Sequence, residues 1–206
     1  MTLNSISIPP ASGKSPAGMV VALHGYGANS QDLAEVAPLL DLPDYSFLFA
    51  DAPLPYPHGG EGRMWYNLER PSPPELASSR ELLENWLRSL PAQTGIPLEK
   101  TILCGFSQGG AMTLDVGLPL PLAGLVVLSG YLHPQALPAA ITKFPPVLLV
   151  HGQSDRIVPL EAAHHTRDTL KSWGVTVSYH DFAMGHEIRP EVLELMKDFV
   201  ITNTQN

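Results

Sequence analysis

A chain of 206 residues, 44% of them apolar, is long enough to bury one substantial core and reads as one globular domain over residues 1–206 rather than as a disordered segment. Its net charge of −8, with no run of Lys or Arg anywhere, excludes a phosphate-backbone partner, because such binding relies on clustered cations. The single Cys104 can close no intrachain disulfide and fits no metal-ligand spacing, so a reducing, cytoplasmic setting without a metal site is expected.

The opening "MTLNSISIPPASGKSP" lacks the basic and apolar regions of a secretory signal, and none is expected. The apolar runs "AGLVVLSGYL" and "PPVLLVHG" fall well short of the roughly 20 residues that span a bilayer, so no transmembrane segment is expected either. Short continuous runs of Val, Ile, Leu and Phe recur along the chain, which is how strands covered on both faces read. They place strands at Met19–Leu23, Ser46–Ala50, Thr101–Cys104, Gly124–Leu128, Val147–Val150 and Val175–His180. Between them, "ELASSRELLENWLRSL" sets Leu76, Leu83, Trp86, Leu87 and Leu90 on one helical face. Further helices are expected at Ser107–Val116, Leu160–Trp173 and Pro190–Ile201, with Pro159 and Pro190 at first turns, where proline is tolerated. The alternation predicts a three-layer α/β fold, with a mostly parallel central sheet, helices on both faces and no separate cap domain. Two irregular stretches interrupt it. Asp51–Glu75, rich in Pro and Gly, reads as a long ordered loop, and Tyr131–Pro146 is a second insertion site too short for a cap.

The stretch "LCGFSQGGAM" places Gly105, Ser107, Gly109 and Gly110 where an apolar strand gives way to a helix. "GFSQG" fits Gly-x-Ser-x-Gly, a sharp strand-to-helix turn that exposes a nucleophilic hydroxyl. The bare pattern is common; its position after "TILC" and before a helix is what makes it informative. A serine hydroxyl needs a base, and the base an orienting acid, in the chain order Ser, Asp or Glu, His. Asp155 in "HGQSDRIVP" and His186 in "MGHEI" stand beyond the expected fifth and sixth strands. Asp181 competes with Asp155 for the orienting role, but chain order favours Asp155. His24, His151 and His180 read as packed or strand-end residues, and "EAAHHTRD" as a solvated helix face rather than a metal site. The oxyanion of acyl transfer needs backbone donors; the N–H groups of Gln108 and of Tyr26 in "HGYG" are the candidates. Because the base must be neutral to accept a proton, activity is expected to fall in acid.

In order, "LHGYGAN", "GFSQGGAM", "HGQSDRIVP" and "MGHEI" resemble the phospholipase/carboxylesterase family of α/β-hydrolases, which includes the acyl-protein thioesterases. The matching segments run from Val20 to Ile188. The resemblance implies a cofactor-free serine esterase acting on small-molecule esters of short-to-medium acyl chains, with Ser107 as nucleophile, Asp155 as acid, His186 as base, and Tyr26 and Gln108 as the oxyanion hole. An acyl thioesterase or lysophospholipase would use the same residues. It also implies that "GRMWYNLE" helps shape the acyl site, making Trp65 and Tyr66 substrate-binding candidates; the alternative is that these aromatics merely hold the loop down. Tyr26 stands where the eukaryotic thioesterases usually carry leucine, and the Trp-Tyr loop is more similar to bacterial esterases, which points away from palmitoylated proteins. An apolar rim around Trp65 would serve a substrate or a second subunit, which leaves a homodimer open. A non-catalytic binding module on the same fold is the remaining alternative, and one that usually shows a broken triad.

Overall fold

The computed structural model describes residues 3–134 and 143–205. In chain order the elements are β1 (Ser5–Ile8), β2 (Gly18–Leu23), α1 (Ser30–Ala34), β3 (Tyr45–Ala50), β4 (Leu54–Pro55), β5 (Arg63–Met64), α2 (Pro73–Thr94), β6 (Thr101–Phe106), α3 (Gln108–Gly117), β7 (Gly124–Leu128), β8 (Val147–Gly152), α4 (Leu160–Ser172), β9 (Val177–Phe182) and α5 (Pro190–Thr204). Among the described residues, seven strands form one sheet in the order β1-β3-β2-β6-β7-β8-β9, parallel throughout except for the antiparallel edge strand β1.

Strands β2, β7 and β8 are buried along their whole length, so their apolar runs cover both faces of the sheet. Side chains alternate as the two-residue period demands. Met19, Val21 and Leu23 join Leu83, Trp86, Leu87 and Leu90 of α2 and Met112 and Leu114 of α3 on one face. Val20 and Ala22 join Ala34 of α1 and Val192, Met196 and Val200 of α5 on the other. Each fully buried leucine contributes roughly 2 kcal/mol of transfer free energy, so the apolar face of α2 alone is a major anchor for the layer.

The expected elements shift at their ends and three additions appear. Helix α2 begins two residues before "ELASS", because Pro73 and Pro74 sit in the first turn, where a missing N–H leaves no acceptor unpaired. It continues through Pro91 and stops at Gly95, whose φ of +74° takes the left-handed conformation that glycine adopts without steric cost. Strand β1 is the main omission from the sequence reading. Its Ser-Ile-Ser-Ile alternation leaves only Ile6 and Ile8 partly covered, a weak signal typical of a short edge strand. The short helix α1 is a further addition; Asn29 caps it by accepting from the N–H groups of Gln31 and Asp32, and the Asp32 carboxylate accepts from the Asn29 N–H. The loop from Asp51 to Glu75 contains the small β4–β5 hairpin. The expected insertion from Tyr131 to Pro146 lies partly outside the described residues.

The register determines where the loops emerge. Leu23 pairs with Gly105, Phe106 with Leu128, and Gly152 with Phe182, so the C-terminal ends of β2, β6, β7, β8 and β9 line one edge of the sheet. Open α/β sheets bind ligands at that edge.

Candidate active site

Ser107 joins β6 to α3 with φ +56° and ψ −117°, a backbone region that a side chain enters only under strain, on the order of 1–3 kcal/mol. Three contacts hold it there. Its N–H donates to Leu128 O at 2.8 Å and its carbonyl accepts from the Ala111 N–H at 3.1 Å. The flanking glycines allow the third. A Cβ on Gly105 would stand 2.2 Å from Gly109 O, and a Cβ on Gly109 would stand 2.1 Å from Leu23 O, so strand, turn and helix press together with no room for either. Gln108, next in the chain, opens α3, where the N–H has no intrahelical acceptor.

The "HGYG" loop after β2 lies directly against this turn: a Cβ on Gly25 would stand 3.4 Å from the Ser107 Cβ. Tyr26 follows Gly25 in this loop, its ring edge-on to Tyr56 at 5.1 Å. The Gly27 N–H donates to Arg63 O at 2.9 Å and the Arg63 N–H returns to Ala28 O at 2.8 Å. His24 is a packed residue, as expected, and it braces this loop from within. It is fully buried; its Nε2 accepts from the Ala52 N–H at 3.0 Å, so its Nδ1–H donates to Gly25 O at 2.8 Å.

Burial lowers the pKa of His24 from the ordinary histidine value, the bond to Gly25 and the charge of Asp51 opposing it only in part. The unfolded chain therefore takes up a proton that the folded chain refuses. The stability that neutral His24 provides is complete above the unfolded value of about 6.5 and is lost as the pH falls from there toward the lower folded value. Urea unfolding between pH 7 and 5 should show a slope in stability approaching about 1.4 kcal/mol per pH unit from this one proton. The slope should flatten in His24→Gln. An equal slope in both proteins would remove His24 as its source.

Asp155 and His186 arrive from the loops after β8 and β9. His186 Nδ1 lies 2.7 Å from Asp155 Oδ2. The carboxylate accepts, so Nδ1 carries the proton and Nε2 is left with its lone pair. Asp155 Oδ1 accepts from the N–H groups of Ile157 and Val158 at 2.8 and 2.9 Å. Burial alone would raise the pKa of Asp155; the bonds from His186, Val158 and Ile157 outweigh it and hold the carboxyl below its ordinary value. The imidazole of His186 packs on the ring of Phe106, centroids 4.7 Å apart, which brings it to the residue preceding Ser107. His151 backs the acid, its Nε2 donating to Val158 O at 2.8 Å and standing 3.5 Å from Asp155 Oδ2. Asp181 is drawn elsewhere, its Oδ1 accepting from Gln153 Nε2 at 2.6 Å.

Ser107 and Gln108 line a cleft of about 350 Å³ together with Leu68, Leu132, Ile157, Val158, Ala162 and His165. Of these, only Leu68 falls in a stretch, "GRMWYNLE", expected to shape the acyl site. Trp65, expected near substrate, is placed differently: it is 0% exposed, its indole N–H donating to His24 O at 3.0 Å. Its main-chain N–H donates to Gln108 Oε1 at 2.9 Å, and Gln108 Nε2 donates to Tyr66 O at 2.7 Å. The Gln108 side chain thus clamps the aromatic loop, and the alternative of a loop held down describes Trp65. Tyr66 is also buried, with its hydroxyl 2.6 Å from that of Tyr131, a cleft residue. The apolar rim expected around Trp65 instead consists of Leu68, 45% exposed, and Ile157, 70% exposed.

The EAAHHTRD helix face carries an Arg167–Asp168 ion pair and His164 against Tyr179. Among the described residues no three His, Cys, Asp or Glu side chains are grouped to hold a metal ion, and no helix is long and apolar enough to cross a membrane.

A mostly parallel sheet flanked by helices, with a strained serine at a strand-to-helix turn and an Asp–His pair at the same edge, defines an α/β-hydrolase fold. Within that class the chain belongs to the phospholipase/carboxylesterase family, whose model matches residues 7–204. It is 30% identical over 203 residues to carboxylesterase SOBER1 of Arabidopsis thaliana, the match covering 88% of each chain. It is 36% identical over 116 residues to acyl-protein thioesterase 1 of Neurospora crassa, covering 52% of this chain; the match spans 47% of that relative's length. The crystal structure of esterase PE8 aligns with a TM-score of 0.89 at 32% identity, over 98% of this chain and 100% of that one.

Proposed function

We propose that the protein is a serine carboxylesterase that hydrolyses small-molecule esters of short-to-medium acyl chains. The observation that carries the reading is the 2.7 Å bond between Asp155 and His186 at the sheet edge where the Ser107 turn emerges. In this mechanism His186 Nε2 takes the Ser107 proton as Oγ attacks the ester carbonyl. The N–H groups of Gln108 and Tyr26 receive the oxyanion. His186 then protonates the departing alcohol, and a water that it deprotonates releases the acid from the acyl-enzyme. The positive charge that forms on the imidazole faces the ionised Asp155. No cofactor enters these steps.

A cleft of about 350 Å³ lies at the low end of the range for small-ligand pockets, which supports modest rather than long acyl chains. Esters and thioesters share the tetrahedral path, and the likeness to acyl-protein thioesterase 1 of Neurospora crassa keeps a thioester reading alongside this one. Rates across p-nitrophenyl esters from acetate to palmitate, beside the matching acyl-CoA thioesters, separate them. A maximum at acetate to octanoate esters is expected. A maximum at long acyl thioesters would replace the esterase reading with a thioesterase one, and turnover of neither series would overturn both.

A further inference from the structure

The cleft contains one polar device that the proposed chemistry leaves unused. The hydroxyls of Tyr66 and Tyr131 meet at 2.6 Å, and Tyr131 lines the cleft together with Ser107 and Gln108. Burial pushes both phenols above their ordinary pKa, so each carries its proton at neutral pH. Two hydroxyls hold two protons, and the bond between them uses one. The Gln108 side chain also reaches the Tyr66 hydroxyl, which leaves the proton of Tyr131 as the one available to a ligand in the cleft.

The pair is also held rigidly. His133 stands edge-on to both rings, 5.1 Å from Tyr66 and 5.3 Å from Tyr131. Its Nδ1 lies 2.8 Å from Asp115 Oδ2, on the helix that Gln108 opens. The Asp115 carboxylate is fully buried and also accepts from Arg80 at 2.7 and 2.8 Å. Tyr66 is fastened from the other side by the Gln108 amide on its carbonyl. The remaining side chains along this wall are largely apolar. When a substrate displaces water from this cleft, a hydroxyl on its lining loses a bond unless a ligand oxygen accepts its proton.

We propose that the Tyr66–Tyr131 hydroxyl pair is a donor subsite for a second oxygen of the substrate, so that the favoured esters carry an ether or carbonyl oxygen apart from the scissile group. This rests on the esterase reading. Because Tyr66 is buried, Tyr131 is the member that reaches the ligand, and Tyr66 positions it.

The test compares esters matched in length and shape. In the acyl arm, p-nitrophenyl 3-methoxypropionate is set against p-nitrophenyl valerate; in the alcohol arm, 2-methoxyethyl butyrate is set against butyl butyrate. The readout is the ratio of kcat/KM for the oxygen-bearing ester to that of its alkyl partner, which cancels any general loss of activity. Tyr131→Phe should lower this ratio about fivefold to tenfold in at least one arm, the effect of losing one neutral hydrogen bond. Tyr66→Phe removes the other oxygen and serves if the first variant does not fold. A ratio unchanged in both arms, with wild-type turnover intact, overturns the subsite and leaves the esterase reading standing. Absence of wild-type turnover on all four esters overturns the esterase reading, and the subsite with it.

Discussion

Replacing Ser107 with alanine should lower kcat by on the order of 10⁵ to 10⁶, leaving only what oxyanion donors and binding supply to water attack. The size follows from the mechanism: with no Oγ there is no acyl-enzyme, and His186 has no hydroxyl to activate. The substitution removes one oxygen and leaves a Cβ already accommodated at φ +56°, so the fold should survive. Labelling by a fluorophosphonate checks the same point independently of substrate choice. Wild-type protein should take up one equivalent and the Ser107→Ala protein none. Turnover retained by the variant, or labelling elsewhere in the chain, would remove Ser107 as nucleophile; a wild-type protein that neither labels nor turns over any ester would revive the binding-module reading.

The second large effect is expected at Asp155→Asn, with kcat lowered by about 10⁴. The amide oxygen can still accept from the N–H groups of Ile157 and Val158, so the loop keeps its two backbone bonds. What changes is the tautomer. With NH₂ in place of the carboxylate oxygen that meets His186 Nδ1, the imidazole turns its lone pair to the amide and carries its proton on Nε2. It is then a donor where a base is required. A loss of less than tenfold, with the thermal transition near that of the wild type, would mean that His186 is oriented by other groups.

The same carboxylate makes a statement about acid. A depressed folded pKa means that ionised Asp155 stabilises the fold above the unfolded value of about 3.9, and that this contribution disappears only as the pH drops through the lower folded value. Loss of activity at mildly acid pH therefore does not come from protonation of Asp155. Loss of stability in the same range belongs in part to His24.

How much of this was legible beforehand depended on how local each signal is. The buried strands stood out because a strand covered on both faces must be apolar at successive positions, whereas β1, covered on one face and only four residues long, left an alternation too brief to register. Ser107, Asp155 and His186 were legible because each sits at the end of a strand with a local pattern around it. Tyr131 was not, since nothing around it marks an aromatic as lining a cleft. The role of Trp65 was not legible either: a tryptophan in a proline- and glycine-rich loop fits substrate contact and loop anchoring equally well. Only the indole bond to His24 O and complete burial distinguish them.

By itself, then, the chain's order of residues determined the alternation of strands and helices, the family, and the three residues proposed for the chemistry, because these depend on patterns within a few residues. The tertiary structure decided what depends on groups distant in sequence: that His186 meets Asp155 rather than Asp181, that His24 braces the loop beside the serine, and that Gln108 clamps Trp65 and Tyr66 from α3. These bonds join residues on different loops, and only the register of parallel strands, which brings the ends of β2, β6, β8 and β9 to one edge, places them within reach of each other.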